Sequence, residues 1–258
     1  MNRFLPELKQ RNPTLYYFGW VNLFGAVVSL LLIQFNDTMV LGISAWIKPA
    51  KFFLSTTVFS WSIGWLLFYL NEPRKVSRYN KMVIAVFLFE NGYIFFRAAR
   101  GETSHFNQSS VFTSTMYQLM GIAITLMTLW TGYFAHLFFK RSFPHLKRHY
   151  LWGIRFGLLF FTIFALGGYA MIAYLGHTVG ASDGGEGMFF VNWSTQYGDL
   201  RVAHFMGMHS LQILPLMGKY ISKRTVITVL LSLVYFLIVT AVFFQAVLRK
   251  PLIEFYLG

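Results

Sequence analysis

Cysteine is absent from this chain and charge is scarce, with only 12% of 258 residues being Asp, Glu, Lys or Arg and nine of those acidic. Without thiols there can be no disulfides, thiolate-held metals, iron–sulfur clusters or covalently attached c-type haem. Any metal would have to be held by His, carboxylate, Met or main-chain oxygen. The shortage of charge excludes an ordinary soluble protein, because 56% of the residues are hydrophobic and one soluble core of this length cannot hide that much apolar surface. Lipid must be the solvent. Also missing are the alternating ten-residue segments of a transmembrane β-barrel, which leaves helices to satisfy every backbone group in hydrocarbon.

What charge there is gives a net +13. The Lys and Arg residues stand in short clusters between apolar runs rather than along one amphipathic face, so they read as topogenic and no nucleic-acid partner is expected. Residues 1–12 are amphipathic and charged with no cleavable signal pattern, so the first apolar run is expected to remain in the mature protein.

The apolar runs predict an all-α bundle of seven transmembrane helices in a single domain, 1–258. The spans are Leu15–Phe35, Ala50–Leu70, Met82–Ala99, Val111–Phe139, Leu151–Leu175, Val202–Tyr220 and Val226–Leu248. Roughly 20 residues cross a bilayer, and the fourth and fifth runs exceed that, which implies tilt or ends that project into the headgroups. Four basic clusters (Arg3, Lys9 and Arg11; Arg74, Lys75, Arg78 and Lys81; Lys140, Arg141, Lys147 and Arg148; Lys219, Lys223 and Arg224) fall on one side if the N-terminus is cytoplasmic and the C-terminus extracytoplasmic. Asp37, Glu102, Asp183, Glu186 and Asp199 then fall on the other. The expected location is a bacterial inner membrane.

Two outer segments differ from plain connectors: 100–107, with Ser-His105-Phe-Asn107, and about 176–201, rich in Gly, Asp, Asn and aromatics. The second is long for a loop, and interleaved Phe189, Phe190, Trp193 and Tyr197 argue for an ordered cap.

Glu90, inside an otherwise apolar run, is the strongest chemical signal, since a carboxylate in hydrocarbon needs a partner and is functional by default. A packed Glu–Arg97 or Glu–Asn91 network that only fixes helix pairing is the alternative. The second signal is Arg201-Val-Ala-His204-Phe-Met-Gly-Met-His209. His204 and His209 are about 140° apart on a helix, so each addresses a different neighbour and they do not form an i,i+4 metal pair. Gly207 admits a close approach, and Pro215 is expected to kink the helix. Counting rise from Arg100 and Leu200 puts Glu90 about 15 Å, His209 about 13 Å and His204 about 6 Å below the outer surface. A layered site follows: Glu90 and His209 deep, His204 above, and His105, Asn107, His177, Asp183 and Asp199 at the mouth. Lys48 and Lys51, in Lys-Pro-Ala-Lys, either snorkel or attract an anionic group. Asp183-Gly-Gly-Glu186 lacks the ordered odd-position carboxylates of a calcium loop.

With Trp-Ile-Lys-Pro-Ala-Lys-Phe-Phe at 46–53, Ser-His-Phe-Asn at 104–107, Gly-His-Thr-Val-Gly at 176–180 and Gly-Asp-Leu-Arg-Val-Ala-His-Phe at 198–205, the chain resembles bacterial seven-helix integral membrane proteins of uncharacterised activity. The resemblance implies a fold and no reaction. A fainter similarity is to haem-handling membrane proteins that place an Arg a few residues before a helix-borne His.

The leading expectation is a protein that binds a metal ion (Fe, Zn or Cu) or b-type haem near its outer face, with redox chemistry in view. Glu90, His105, His204 and His209 are the candidate metal ligands; His105, Asn107, His177, Asp199, Arg201 and His204 line the cofactor; Glu90 and His209 are the candidate catalytic pair. A second expectation is a hydrolase or transferase acting on a lipid or lipid-linked substrate, with Glu90 or a His as general base. A third is a proton-coupled transporter titrating at Glu90, and a receptor or structural partner is a fourth. The bilayer is the partner throughout, with a lipid or small molecule as ligand.

Overall fold

The computed structural model describes residues 4–185 and 187–253, so Arg3 and Glu186 lie outside the described residues. Helices dominate. Among the described residues, six are long and apolar enough to cross a membrane: Pro13–Phe35, Ile47–Leu70, Pro73–Ala99, Val111–Lys140, Arg148–Ala173 and Thr225–Val247. They coincide with the first five expected spans and the seventh. Many of their large apolar side chains are exposed, as with Phe24, Leu31, Leu126, Leu230 and Leu237, and lipid is the natural cover for such a surface.

The expected sixth span is broken. It runs as a helix over Leu200–Met208, a second over Ser210–Leu216 and a π-helical turn over Met217–Ile221. Pro215 has no N–H to give the carbonyl of Leu211, and beyond it Ser222 N–H reaches back five residues to the Met217 carbonyl at 2.9 Å. The Pro215 kink foreseen in the sequence therefore ends regular α-helix altogether.

The chain divides into two compact units, 1–130 and 131–258. The first holds α1 (Phe4–Arg11), α2 (Pro13–Phe35), a two-residue antiparallel pair β1 (Met39–Val40) and β2 (Ile43–Ser44), α3 (Ile47–Leu67), α4 (Pro73–Ala99) and most of α5 (Val111–Lys140). Asn12 caps α2, its Oδ1 accepting from Leu15 N–H at 3.1 Å, and Pro13 opens the first turn, where its missing donor costs nothing. In lipid there is no hydrophobic force between helices, so buried polar contacts and close packing hold them. Asn91 of α4 supplies the contacts here: its Nδ2 donates to Asn22 Oδ1 of α2 at 2.9 Å and to Thr56 Oγ1 of α3 at 3.1 Å.

The second unit holds the rest of α5, then α6 (Arg148–Leu166), α7 (Tyr169–Ala173), β3 (Thr178–Val179), β4 (Gly198–Asp199), α8 (Leu200–Met208), α9 (Ser210–Leu216) and α10 (Thr225–Val247). Close packing dominates. Gly153 and Gly157, one turn apart on α6, let the backbone of α9 approach so nearly that a Cβ on Gly153 would lie 2.4 Å from the Leu214 carbonyl oxygen. Ser210 Oγ donates to the Gly157 carbonyl at 3.0 Å across this seam. β3 pairs antiparallel with β4, Thr178 opposite Asp199, which brings the two ends of segment 176–201 together.

Candidate functional site

In the first unit, Glu90 sits on α4 at 5% exposure. The cation acting on its carboxyl is Lys48, from the first turn of α3. Lys48 Nζ also lies 3.1 Å from His105 Nδ1. A protonated lysine has only hydrogens to offer, so the imidazole accepts through Nδ1. Ser104 Oγ lies 3.1 Å from the same nitrogen, and the ring is held between Phe52 and Tyr117 with centroids 5.8 and 5.9 Å away. Lys48 of α3 thus touches the imidazole of the 100–107 segment directly and acts on the buried acid of α4 by its charge.

Two neighbouring groups on α4 lack partners among the described residues: the hydroxyl of Tyr93, one turn along on the face of Glu90, and Oδ1 of Asn91. Both are buried. Arg97, two turns from Glu90, pairs with Glu102 and donates from Nε to the Thr103 carbonyl at 3.4 Å. Asn107 shapes the loop, donating to the Thr103 carbonyl at 3.0 Å and accepting from Ser109 N–H and Oγ.

In the second unit the singled-out residues are engaged locally. Asp183 accepts from the N–H groups of His177 and Thr178, each at 3.0 Å, and pairs with His177 Nδ1. Burial works to raise its carboxyl, but the His177 hydrogen bond and charge and the two main-chain donors outweigh it and hold Asp183 well below the usual carboxylate range. Asp199 caps α8 and is fully buried; it accepts from Arg201 N–H at 3.0 Å, Arg201 Nε at 2.9 Å and Ser194 N–H at 2.9 Å. Arg201 also donates to the Asn192 carbonyl.

His204 gives its Nδ1 hydrogen to the Phe164 carbonyl of α6 at 2.8 Å. His209, at the break between α8 and α9, gives its own to the Phe205 carbonyl at 2.8 Å and lies against the Phe205 ring with centroids 4.1 Å apart. Each imidazole thus addresses its own neighbour, as their angular separation requires. The close approach that Gly207 admits is taken by the Phe164 ring.

The structure thus pairs Lys48 with His105 and brings the charge of Lys48 to bear on Glu90 in one unit, and pairs His177 with Asp183 and Asp199 with Arg201 in the other. Among the described residues no group of three His, Asp or Glu side chains is placed to hold a metal ion. Tyr93 and Tyr117 were not foreseen; Tyr93 had a visible signal, its i+3 spacing from Glu90, and Ser104 is the hydroxyl residue that adjoins His105 in Ser-His-Phe-Asn.

No protein-family model, curated protein or solved structure matches the chain. Fold and composition define its class as an all-helical, multi-pass membrane protein.

Proposed function

We propose that this protein is a proton-coupled carrier of the bacterial inner membrane, with Glu90 as the group that binds and releases the proton and Lys48 and His105 as its connection to the extracytoplasmic face. The observation that carries this is a buried acid within the field of a cation that itself touches an imidazole in the same unit. Protonation removes a charge whose burial in hydrocarbon is costly, and release leaves a carboxylate whose charge Lys48 balances, so both forms have a defined environment. His105 is the residue type that exchanges protons with water near neutral pH.

The topology belongs to the same reading. Residues 200–221, though interrupted, rise about 33 Å at 1.5 Å per residue, enough to serve as a seventh crossing. Broken helices at membrane depth are a recurring feature of carriers, because freed backbone groups line a path. Seven crossings then put the four basic clusters on the cytoplasmic side with the N-terminus.

The test is infrared difference spectroscopy on protein reconstituted in sealed vesicles. A protonated-carboxyl band should follow the pH on the His105 side, vanish in Glu90→Gln, and respond more slowly in Lys48→Met and His105→Phe. A wild-type spectrum with no such band, or one indifferent to pH, removes Glu90 as the exchanging group.

One observation favours a second reading, binding of a b-type haem or a metal ion. The bond from His204 Nδ1 to the Phe164 carbonyl fixes the tautomer in which Nε2 is unprotonated, the arrangement that orients ligating histidines elsewhere. A Soret band or stoichiometric metal lost in His204→Ala supports it, and a colourless, metal-free, folded preparation eliminates it.

A further inference from the structure

Where α4 gives way to α5, the first unit contains a cavity of about 320 Å³ lined by Phe96, Arg97, Arg100, Glu102, Ser109, Ser110, Phe112 and Thr113. Its charge is unbalanced, with two guanidinium groups facing one carboxylate. Arg97 is 5% exposed. Its Nε and Nη1 are committed to Thr103 and Glu102, so Nη2 is the guanidinium nitrogen outside those two bonds. Arg100, with its side chain 56% exposed, reaches Glu102 from the other side, Nε and Nη2 each 3.3 Å from Oε1. Ser110 and Thr113 mainly cap one another, their hydroxyls 3.2 Å apart and each accepting from the other's N–H, so the guanidiniums are the principal donors.

We infer that this cavity binds the phosphate of an anionic phospholipid headgroup, with Arg97 and Arg100 as the recognising pair and Glu102 as a counter-ion that the phosphate displaces in part. Three features select that chemistry. Paired arginines match phosphate oxygens in a fork geometry that a lone lysine does not supply. The volume lies at the small end of ligand sites, enough for a headgroup and too little for a whole lipid. Phe96 and Phe112, 49% and 56% exposed, stand at the ends of two apolar helices beside the arginines, where acyl chains continuing from the headgroup would lie. A free phosphate has no use for those rings, and they point to lipid as its source. Glu90 and its proton are not involved, so this site stands or falls independently of the proposed function.

The full-length protein, purified in a neutral detergent, is examined by native mass spectrometry after exchange into mixed vesicles of phosphatidylcholine and phosphatidylglycerol. Wild type should retain one phosphatidylglycerol per chain in preference to phosphatidylcholine. Arg100→Gln, at an exposed side chain whose loss the fold tolerates, should weaken retention about tenfold, the worth of one charge-assisted contact. Glu102→Gln should strengthen it several-fold, whereas a purely structural Arg97–Glu102 pair predicts a less stable protein with unchanged lipid binding. Equal retention of the two lipids, or no response to Arg100→Gln, overturns the site. Displacement of the bound lipid by millimolar sodium phosphate overturns the lipid assignment, because the rings would then contribute nothing.

Discussion

Replacing Asp199 by alanine tests whether the loop around Ser194 is held to the start of α8 by this carboxylate. Asp199 is 2% exposed and accepts from Ser194 N–H, Arg201 N–H and the Arg201 guanidinium. Loss of the cap on α8 costs about 1 kcal/mol. Breaking a fully buried ion pair costs about 3–5 kcal/mol and an exposed one less than about 1. With Arg201 27% exposed and still bonded to the Asn192 carbonyl, about 2 kcal/mol is the appropriate share. The total for Asp199→Ala is then about 3 kcal/mol, and Asp199→Asn, which keeps an acceptor for the cap, should lose about half of that. The readout is amide hydrogen exchange at Ser194 and Arg201 in the detergent-solubilised protein, with urea unfolding alongside. A loss of 3 kcal/mol raises exchange by local opening roughly a hundredfold. Unchanged protection of both amides, with wild-type stability, would falsify the fastening role and return Asp199 and Arg201 to candidate ligand-binding groups.

Two further outcomes follow from the second unit. Because the Asp183 carboxyl is held below its usual range, its contribution is complete at neutral pH and is lost as pH falls through the folded value; Asp183→Asn should cost about 1–2 kcal/mol at pH 7 and flatten the acid limb of a thermal-stability profile. Gly153→Ala places a methyl 2.4 Å from the Leu214 carbonyl oxygen, so the α6–α9 seam must open at a cost of about 2–3 kcal/mol, visible as a lower midpoint in thermal unfolding, whereas Gly121→Ala, where nothing lies within 4 Å, should be neutral.

Helix placement was legible wherever one apolar run was unbroken, because the bilayer thickness alone sets its length. The start of α2 at Asn12 and Pro13 precedes the expected Leu15 by two residues, since a cap and a first-turn proline extend a helix into polar sequence. The sixth run is helical but interrupted: the kink at Pro215 follows from the donor that proline lacks, whereas the earlier break at His209 has no signal in hydropathy. At the site, burial of Glu90 followed from composition, but the identity of its cation did not. Arg97 shares the Glu90 face and looked the natural partner, yet Glu102 and the Thr103 carbonyl, both close in sequence, claim it. Lys48 is more than forty residues away, and its charge reaches Glu90 only through tertiary packing. The divergence of His204 and His209, by contrast, was fixed by helical angle and needed no tertiary information.

The distribution of unmet polar atoms bears on the proposal that Glu90 exchanges a proton. A buried donor or acceptor without a partner costs about 1–3 kcal/mol and persists only where something else requires it. Among the described residues the unmet side-chain atoms are Arg11 Nη1, Ser60 Oγ, Asn91 Oδ1 and the Tyr93 hydroxyl, all in the first unit. Arg11 is compensated by the ring faces of Trp65, Phe68 and Tyr69, 3.9, 4.9 and 4.8 Å from its guanidinium carbon. The other three lie on α3 and α4, the helices that carry Lys48 and Glu90. In the second unit His177, Asp183, Asp199, Arg201, His204 and His209 each hold a partner close in the fold, as residues that build a structure do. Under the proposed proton exchange, the open Asn91 and Tyr93 atoms beside Glu90 supply the second hydrogen-bonding arrangement that a change in its protonation calls for.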